Sequence, residues 1–236
     1  RLLECATMSP SVAEALRHDG RHAADLRPYS LVPRWLETPS GSALVKQGRT
    51  WVSCTAVRQA GVPSWMRGSG RGWLTASYSL APGATSVRTE RERRGPGGRT
   101  HEIERLVARS LRTAVDLTRV GDVTLHVDCD VLQADGGTRA AAITGGWIAL
   151  ALASRVLVAQ RRIPADPVVR QVAAVSVGVV DGGAMLDLDY AEDLRADTAM
   201  TVVVTGDGRF VEVQGTAERE PFDADELQAM LELAGA

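Results

Sequence analysis

Two hydrophobic periods alternate along this chain. In residues 43–57 (ALVKQGRTWVSCTAV), β-branched and aromatic residues flank Gln47-Gly48-Arg49, which predicts two strands joined by a turn. Residues 73–80 (WLTASYSL) read as a further strand, approached through the glycine-rich stretch Arg67-Gly68-Ser69-Gly70-Arg71-Gly72. The period then changes. Ile103, Leu106, Val107, Ser110, Leu111, Ala114 and Val115 recur at spacings of three and four, so a helix carries one small or apolar stripe, with Arg105, Arg109 and Arg112 off it. The same order follows again: a strand over 123–131, a long helix from about Thr138, and strands over 172–180, 184–190, 200–205 and 209–214. Asp181-Gly182-Gly183 and Gly206-Asp207-Gly208 mark the turns between the last strands. A final helix starts near Asp223, with Asp223 or Asp225 in its first turn.

Each half is thus several strands followed by a helix, and two similar halves packed together make an α+β fold. Residues 1–16 read as an N-terminal arm, with Met8 as an alternative start. Residues 17–236 read as one domain with halves over about 26–118 and 119–236. Residues 81–99 form a loop with Pro82, Gly83, Pro96, Gly97 and Gly98, and it carries Arg88, Arg91, Arg93, Arg94 and Arg99.

Composition narrows the class. With 44% hydrophobic and 24% charged residues in 236, the chain can bury a core; a disordered tail, a collagen-like fibre and a disulfide scaffold are excluded. A net charge of −2 gives no global basic field, so nucleic-acid binding would have to come from a local patch. Lys46 is the single lysine among 27 basic residues. Arginine is a fork suited to phosphate, although a GC-rich genome produces the same bias. Cys5, Cys54 and Cys129 have no CxxC spacing and read as reduced thiols of a cytoplasmic protein. The most apolar stretch, 140–159, is broken by Thr144, two glycines and Arg155, so no membrane span is expected.

Three clusters carry possible chemistry. Residues 128–139 (DCDVLQADGGTR) read as a strand, a glycine turn and a helix beginning Thr138-Arg139. Helix amides point at bound anions, Gly137 permits close approach, Thr138 adds a hydroxyl and Arg139 a forked cation. A plain helix start capped by threonine is the alternative. Gly97-Gly98-Arg99-Thr100 precedes the other helix, and the two arginines could converge on one phosphate; a solvated loop arginine is the alternative. Asp187 and Asp189 alternate onto one strand face, with Glu192 and Asp193 beyond. Such carboxylates suit Mg²⁺ or acid chemistry, or simply an exposed strand end. The four histidines lack metal-ligand spacing, and neither a nucleophile elbow nor a Walker loop is present.

These segments together resemble the ribonuclease PH family. The residues that carry the likeness are Arg17-His18-Asp19-Gly20-Arg21 with Leu26-Arg27-Pro28, residues 68–73 (GSGRGW), residues 98–103 (GRTHEI), residues 128–139, residues 175–178 (VSVG) and residues 211–218 (VEVQGTAE). The resemblance implies two pseudo-symmetric βαβα-type halves and a homo-oligomeric ring, a hexamer built as a trimer of dimers. It implies a phosphorolytic 3′→5′ exoribonuclease in which inorganic phosphate attacks the last phosphodiester of tRNA precursors and other RNA 3′ ends, with Mg²⁺ assisting. By motif, Arg99, Gly137, Thr138 and Arg139 match the phosphate site, Asp193 one member of a catalytic acidic pair, and Arg88 and Arg91 the arginines that guide RNA.

Departures accompany the likeness. Where the family reads Asp-Met-Asn, this chain has Ala199-Met200-Thr201, and alanine can neither ligate a metal nor give a proton. A family glutamate is Ser77, a loop arginine is Gly83, the arginine-rich loop is shorter, and the chain stops near Gly235. The expectation is a phosphate-dependent enzyme that is weak on RNA or turned to a small nucleotide or nucleoside, with Asp187, Asp189 or Asp193 supplying acid or, for Asp187 and Asp193, a metal ligand. A ring that binds phosphate or RNA without cleaving it is the alternative.

Overall fold

Where β-branched residues recur at every second position the backbone is extended, and those strands collect into two sheets. A computed structural model describes residues 16–92 and 95–236. The first sheet holds β1 (Tyr29–Pro33), β2 (Gly41–Gln47), β3 (Thr50–Ala60), β4 (Trp73–Leu80) and β5 (Val123–Gln133), in the order β1-β2-β3-β5-β4. The second holds β6 (Val172–Val180), β7 (Gly183–Leu186), β8 (Thr198–Thr205) and β9 (Phe210–Ala217), in the order β7-β6-β8-β9. The helices are α1 (Gly98–Thr113), α2 (Thr138–Ala159), α3 (Tyr190–Asp193) and α4 (Ala224–Gly235). The α+β class is therefore correct.

β2 and β3 form the hairpin predicted around Gly48, and β4 and β6 have the predicted bounds. The division at residue 118 does not separate the sheets. β5 belongs to the first, antiparallel to β3 and parallel to β4. The strand predicted over 184–190 ends at Leu186, because Asp187 takes a left-handed backbone with φ +53° and Asp189 caps α3. Asp187 and Asp189 thus do not share a strand face.

The molecule is layered. One face of the first sheet meets α1 and α2, the far side of α2 meets the second sheet, and α4 covers that sheet's outer face. The main core lies around α2, where Val45, Val52, Cys54, Leu125, Val127, Ile143, Leu150 and Leu157 are all buried. A second cluster, with Val177, Met200, Val202 and Met230, lies under α4. Of the three cysteines, Cys54 and Cys129 are free, buried and opposite each other on β3 and β5; Cys5 lies outside the described residues, as does most of the predicted arm. Contrary to the composition-based expectation, α2 does have the length and apolarity to cross a membrane, with a mean hydropathy of 1.7 in its most apolar window. It is apolar on most sides because it lies between two sheets, and 56% of that window is buried.

Candidate active site

Among the described residues, the starts of α1 to α4 fall into two kinds. α3 and α4 open with Asp189 and Asp223, each in a capping box with Glu192 or Glu226. Their free amides are claimed by carboxylates, the ordinary arrangement at the positive end of a helix dipole. α1 and α2 open on Gly97 and Gly137, with no side-chain cap and no acidic residue in the first turn. Instead each places an arginine second, Arg99 and Arg139, beside a threonine. A cation at that end adds to the unfavourable field of the unclaimed amides, an arrangement that an external anion relieves.

The glycine turn before α2 is held from three sides. Thr50 Oγ1 accepts from the Asp135 amide at 2.9 Å and donates to the Gly136 carbonyl at 2.6 Å. Arg27 Nη1 donates to the Asp135 carbonyl. The Ala134 amide donates to the Ala84 carbonyl at 2.8 Å, tying the turn to the loop that carries Arg88 and Arg91. Glycine is required here: both Gly136 and Gly137 have positive φ (+76° and +67°), and a Cβ on Gly136 would stand 2.5 Å from the Leu188 carbonyl oxygen.

Of the residues expected to bind phosphate, Gly137, Thr138 and Arg139 are consecutive at the start of α2, and Arg99 is the second residue of α1. The cations of Arg99 and Arg139 act on both the Tyr78 hydroxyl and the Asp193 carboxyl, so the two helix starts share one neighbourhood. Glu102 and Arg109 of α1 meet Gln214 and Glu212 of β9, which ties α1 to the edge strand of the second sheet. Tyr78, which belongs to none of the three sequence clusters, donates its hydroxyl to Thr138 Oγ1 at 2.9 Å. Its signal was present: alternation puts Leu74, Ala76 and Tyr78 on the buried face of β4, and Tyr78 alone of them has a polar tip. Arg88 and Arg91 are exposed in the irregular segment before α1, and Arg93 and Arg94 lie outside the described residues.

The acidic cluster separates into different roles. Asp193 ends α3 beside the two arginines. Partial loss of solvation raises its pKa, and the charge of Glu218 adds to this; the cations of Arg139, Arg99 and Arg27 pull the other way without cancelling it. Asp187 is fully buried. One oxygen accepts from the Arg27 amide at 2.8 Å and Nε at 3.0 Å, the other from Arg27 Nη2 and Gln47 Nε2 at 2.6 and 2.7 Å. With four donors its acceptor capacity is filled, so the structure gives Asp187 a bracing role in place of the acid or metal role expected of it. Asp189 caps α3 and meets His18 Nε2 at 2.7 Å. Glu192 is buried against Arg17. Burial works to raise its pKa, but hydrogen bonds from Arg17 and the Asp189 amide, with the charges of Arg17 and Arg21, outweigh it and bring it below its usual value.

His18, Asp189 and Glu192 offer ligand atoms within 4.8 Å of one another, yet Glu192 is already paired with Arg17 and Asp189 with its own helix. Ala199 pairs with Thr216 on β9, and the Glu218 amide continues that ladder onto the Asp197 carbonyl at 2.7 Å. Where the resemblance implies a second carboxylate this chain has Ala199, whose methyl group offers no ligand atom, so Asp193 with an alanine there is a poor donor set for a resident Mg²⁺.

Comparison with known proteins bears on this geometry. Family models described as "3′ exoribonuclease family, domain 1" and "domain 2" match residues 25–155 and 170–236. Similar curated proteins are the ribonucleases PH of Solibacter usitatus (52% identical, covering 93% of each chain) and Corynebacterium diphtheriae (53% identical, covering 92% of this chain and 91% of the relative). Among solved structures, the chain resembles a subunit of an Archaeoglobus fulgidus exosome with RNA bound to the active site (TM-score 0.81, 25% identity, 93% of this chain and 89% of that one). It also shares its fold with rice Rrp46 (TM-score 0.74, 21% identity, 92% of each chain).

Proposed function

The chain belongs to the 3′ exoribonuclease family, which uses phosphate as its co-substrate, and from that premise we propose that it is a diverged phosphorolytic enzyme acting on RNA 3′ ends. Inorganic phosphate sits between the starts of α1 and α2. An oxygen of it attacks the phosphorus of the last phosphodiester. The bond to the 3′ oxygen of the preceding nucleotide breaks, releasing a nucleoside diphosphate and an RNA one nucleotide shorter. Phosphate is already an anionic nucleophile, so the protein's work is to place it and offset the repulsion between two anions. Arg99, Arg139, the Thr138 hydroxyl and the unclaimed amides do this. Asp193, whose pKa is raised by partial loss of solvation, is the acid in this reading and serves the leaving oxygen. Arg88 and Arg91 line the RNA backbone's approach.

The observation that carries this reading is the pair of uncapped helix starts whose arginines act on the same two side chains. Ala199 supports the divergence: it removes one acid or metal ligand, and losing a general acid costs roughly 10²–10⁴ in rate. Assembly with further copies of the chain, in a ring of six by the family likeness, would have a ready surface in β1, an edge strand whose Tyr29, Leu31 and Val32 are each about 40% exposed.

Incubating a short RNA with phosphate and Mg²⁺ and measuring nucleoside diphosphate tests the reading. Slow release is expected, increased at least tenfold by Ala199→Asp. Release at the rate of an unaltered relative would remove the divergence. No release from either protein would favour the second reading, a phosphate- or RNA-binding ring without cleavage, which Ala199 also suits.

A further inference from the structure

Tyr78 is 7% exposed, at the end of the buried face of β4, and Ser79 beyond it is exposed. Its phenol oxygen lies 2.9 Å from Thr138 Oγ1, at the first residue of α2. Each of these hydroxyls has one proton, and across one hydrogen bond only one of them can give it. A charged acceptor takes the stronger bond, so with an anion at the helix start the threonine proton goes to the anion. Thr138 Oγ1 must then be an acceptor on its other side, and the buried phenol is the donor in place. Burial keeps that phenol protonated by raising its pKa, against the opposing pull of Thr138, Arg99 and Arg139.

We propose that Tyr78 is a positioning residue for phosphate: its hydroxyl holds Thr138 as an acceptor, so that the threonine proton is directed outward onto a phosphate oxygen. This rests on the reading that phosphate docks at the start of α2. The relay makes the Thr138 position a donor that cannot turn to accept. It therefore selects an unprotonated oxygen there, and a ligand presenting a hydroxyl at that point gains nothing from it.

Calorimetric titration with inorganic phosphate tests the relay in the parent, Tyr78→Phe, Thr138→Val and the double variant. Tyr78→Phe keeps the ring and loses one oxygen, and phosphate affinity is expected to fall about threefold to tenfold, as for one neutral hydrogen bond. Thr138→Val falls further, and the double variant is no weaker than Thr138→Val alone, because the phenol acts only through the threonine. In turnover the phosphate KM rises in Tyr78→Phe while the RNA KM stays put. Parent-like phosphate affinity in a folded Tyr78→Phe, or additive losses in the double variant, overturns the relay and leaves the docking site standing. A parent that binds no phosphate overturns the docking reading, and the relay with it. Should Tyr78→Phe fail to fold, 3-fluorotyrosine, a stronger donor, gives the same test: phosphate must bind more tightly, and unchanged affinity refutes the relay.

Discussion

Arg27 and Asp187 stand 160 positions apart in sequence and share three hydrogen bonds in the interior. Arg17 gives Glu192 two hydrogen bonds across 175 positions, and its Nη1 also reaches the Leu186 carbonyl at 2.6 Å. These buried pairs hold the segment before β1 against the turn that aims α3, and hence against Asp193. Removing one partner strands the other charge in the interior, which costs about 3–5 kcal/mol. Glu192→Gln is expected to lower stability by about 3 kcal/mol at pH 7, read by urea unfolding. Because the folded pKa of Glu192 lies below its usual 4.5, its contribution is present above that value and is lost as pH falls through the lower, folded one. The variant's stability therefore declines less than the parent's in that acid window; parallel declines contradict the assignment. None of these pairs was legible beforehand. Arg17 and Arg27 lie in a polar stretch without period, and Asp187 alternates as though the strand continued. A pairing made by tertiary folding leaves no mark on local spacing.

Among the elements, the glycine turn before α2 carries the most function per residue. It must be left-handed at two consecutive positions, lie against Leu188 and Asp189, and still present amides outward. Gly137→Ala puts a Cβ 3.0 Å from Arg27 Nη2 in a backbone region that costs an L-residue about 1–2 kcal/mol. It is expected to lose stability by about that amount and to weaken phosphate binding as well, measured by thermal unfolding and titration. A variant with parent stability and affinity would mean that the turn is not strained. This element was readable from sequence, since two glycines between a strand and a helix have few other uses. β1 and α3 were not. β1 follows Pro28, ends on Pro33 and is exposed along its whole length, and α3 is a single turn. Neither is long enough to show a period.

The site exists because the whole molecule brings its two sheets around α2. Tyr78 comes from β4, Arg99 from α1, Thr138 and Arg139 from α2, and Asp193 from α3; no sheet or helix holds it alone. The α+β class followed from strands and helices recurring in the same order. The partition of strands did not, because β5 joins β3 and β4 through pairings between residues tens of positions apart, which period alone cannot assign. The consequence most open to test is that two cations from separate elements hold one anion. Inorganic phosphate titrated calorimetrically into the parent, Arg99→Ala, Arg139→Ala and the double variant measures it. A charged hydrogen bond contributes about 1.5–3 kcal/mol, so each single variant should bind roughly tenfold to a hundredfold more weakly. The double variant should lose less than the product of the two factors. Parent affinity in either single variant, or two fully independent losses, would mean that the arginines do not close on the same phosphate.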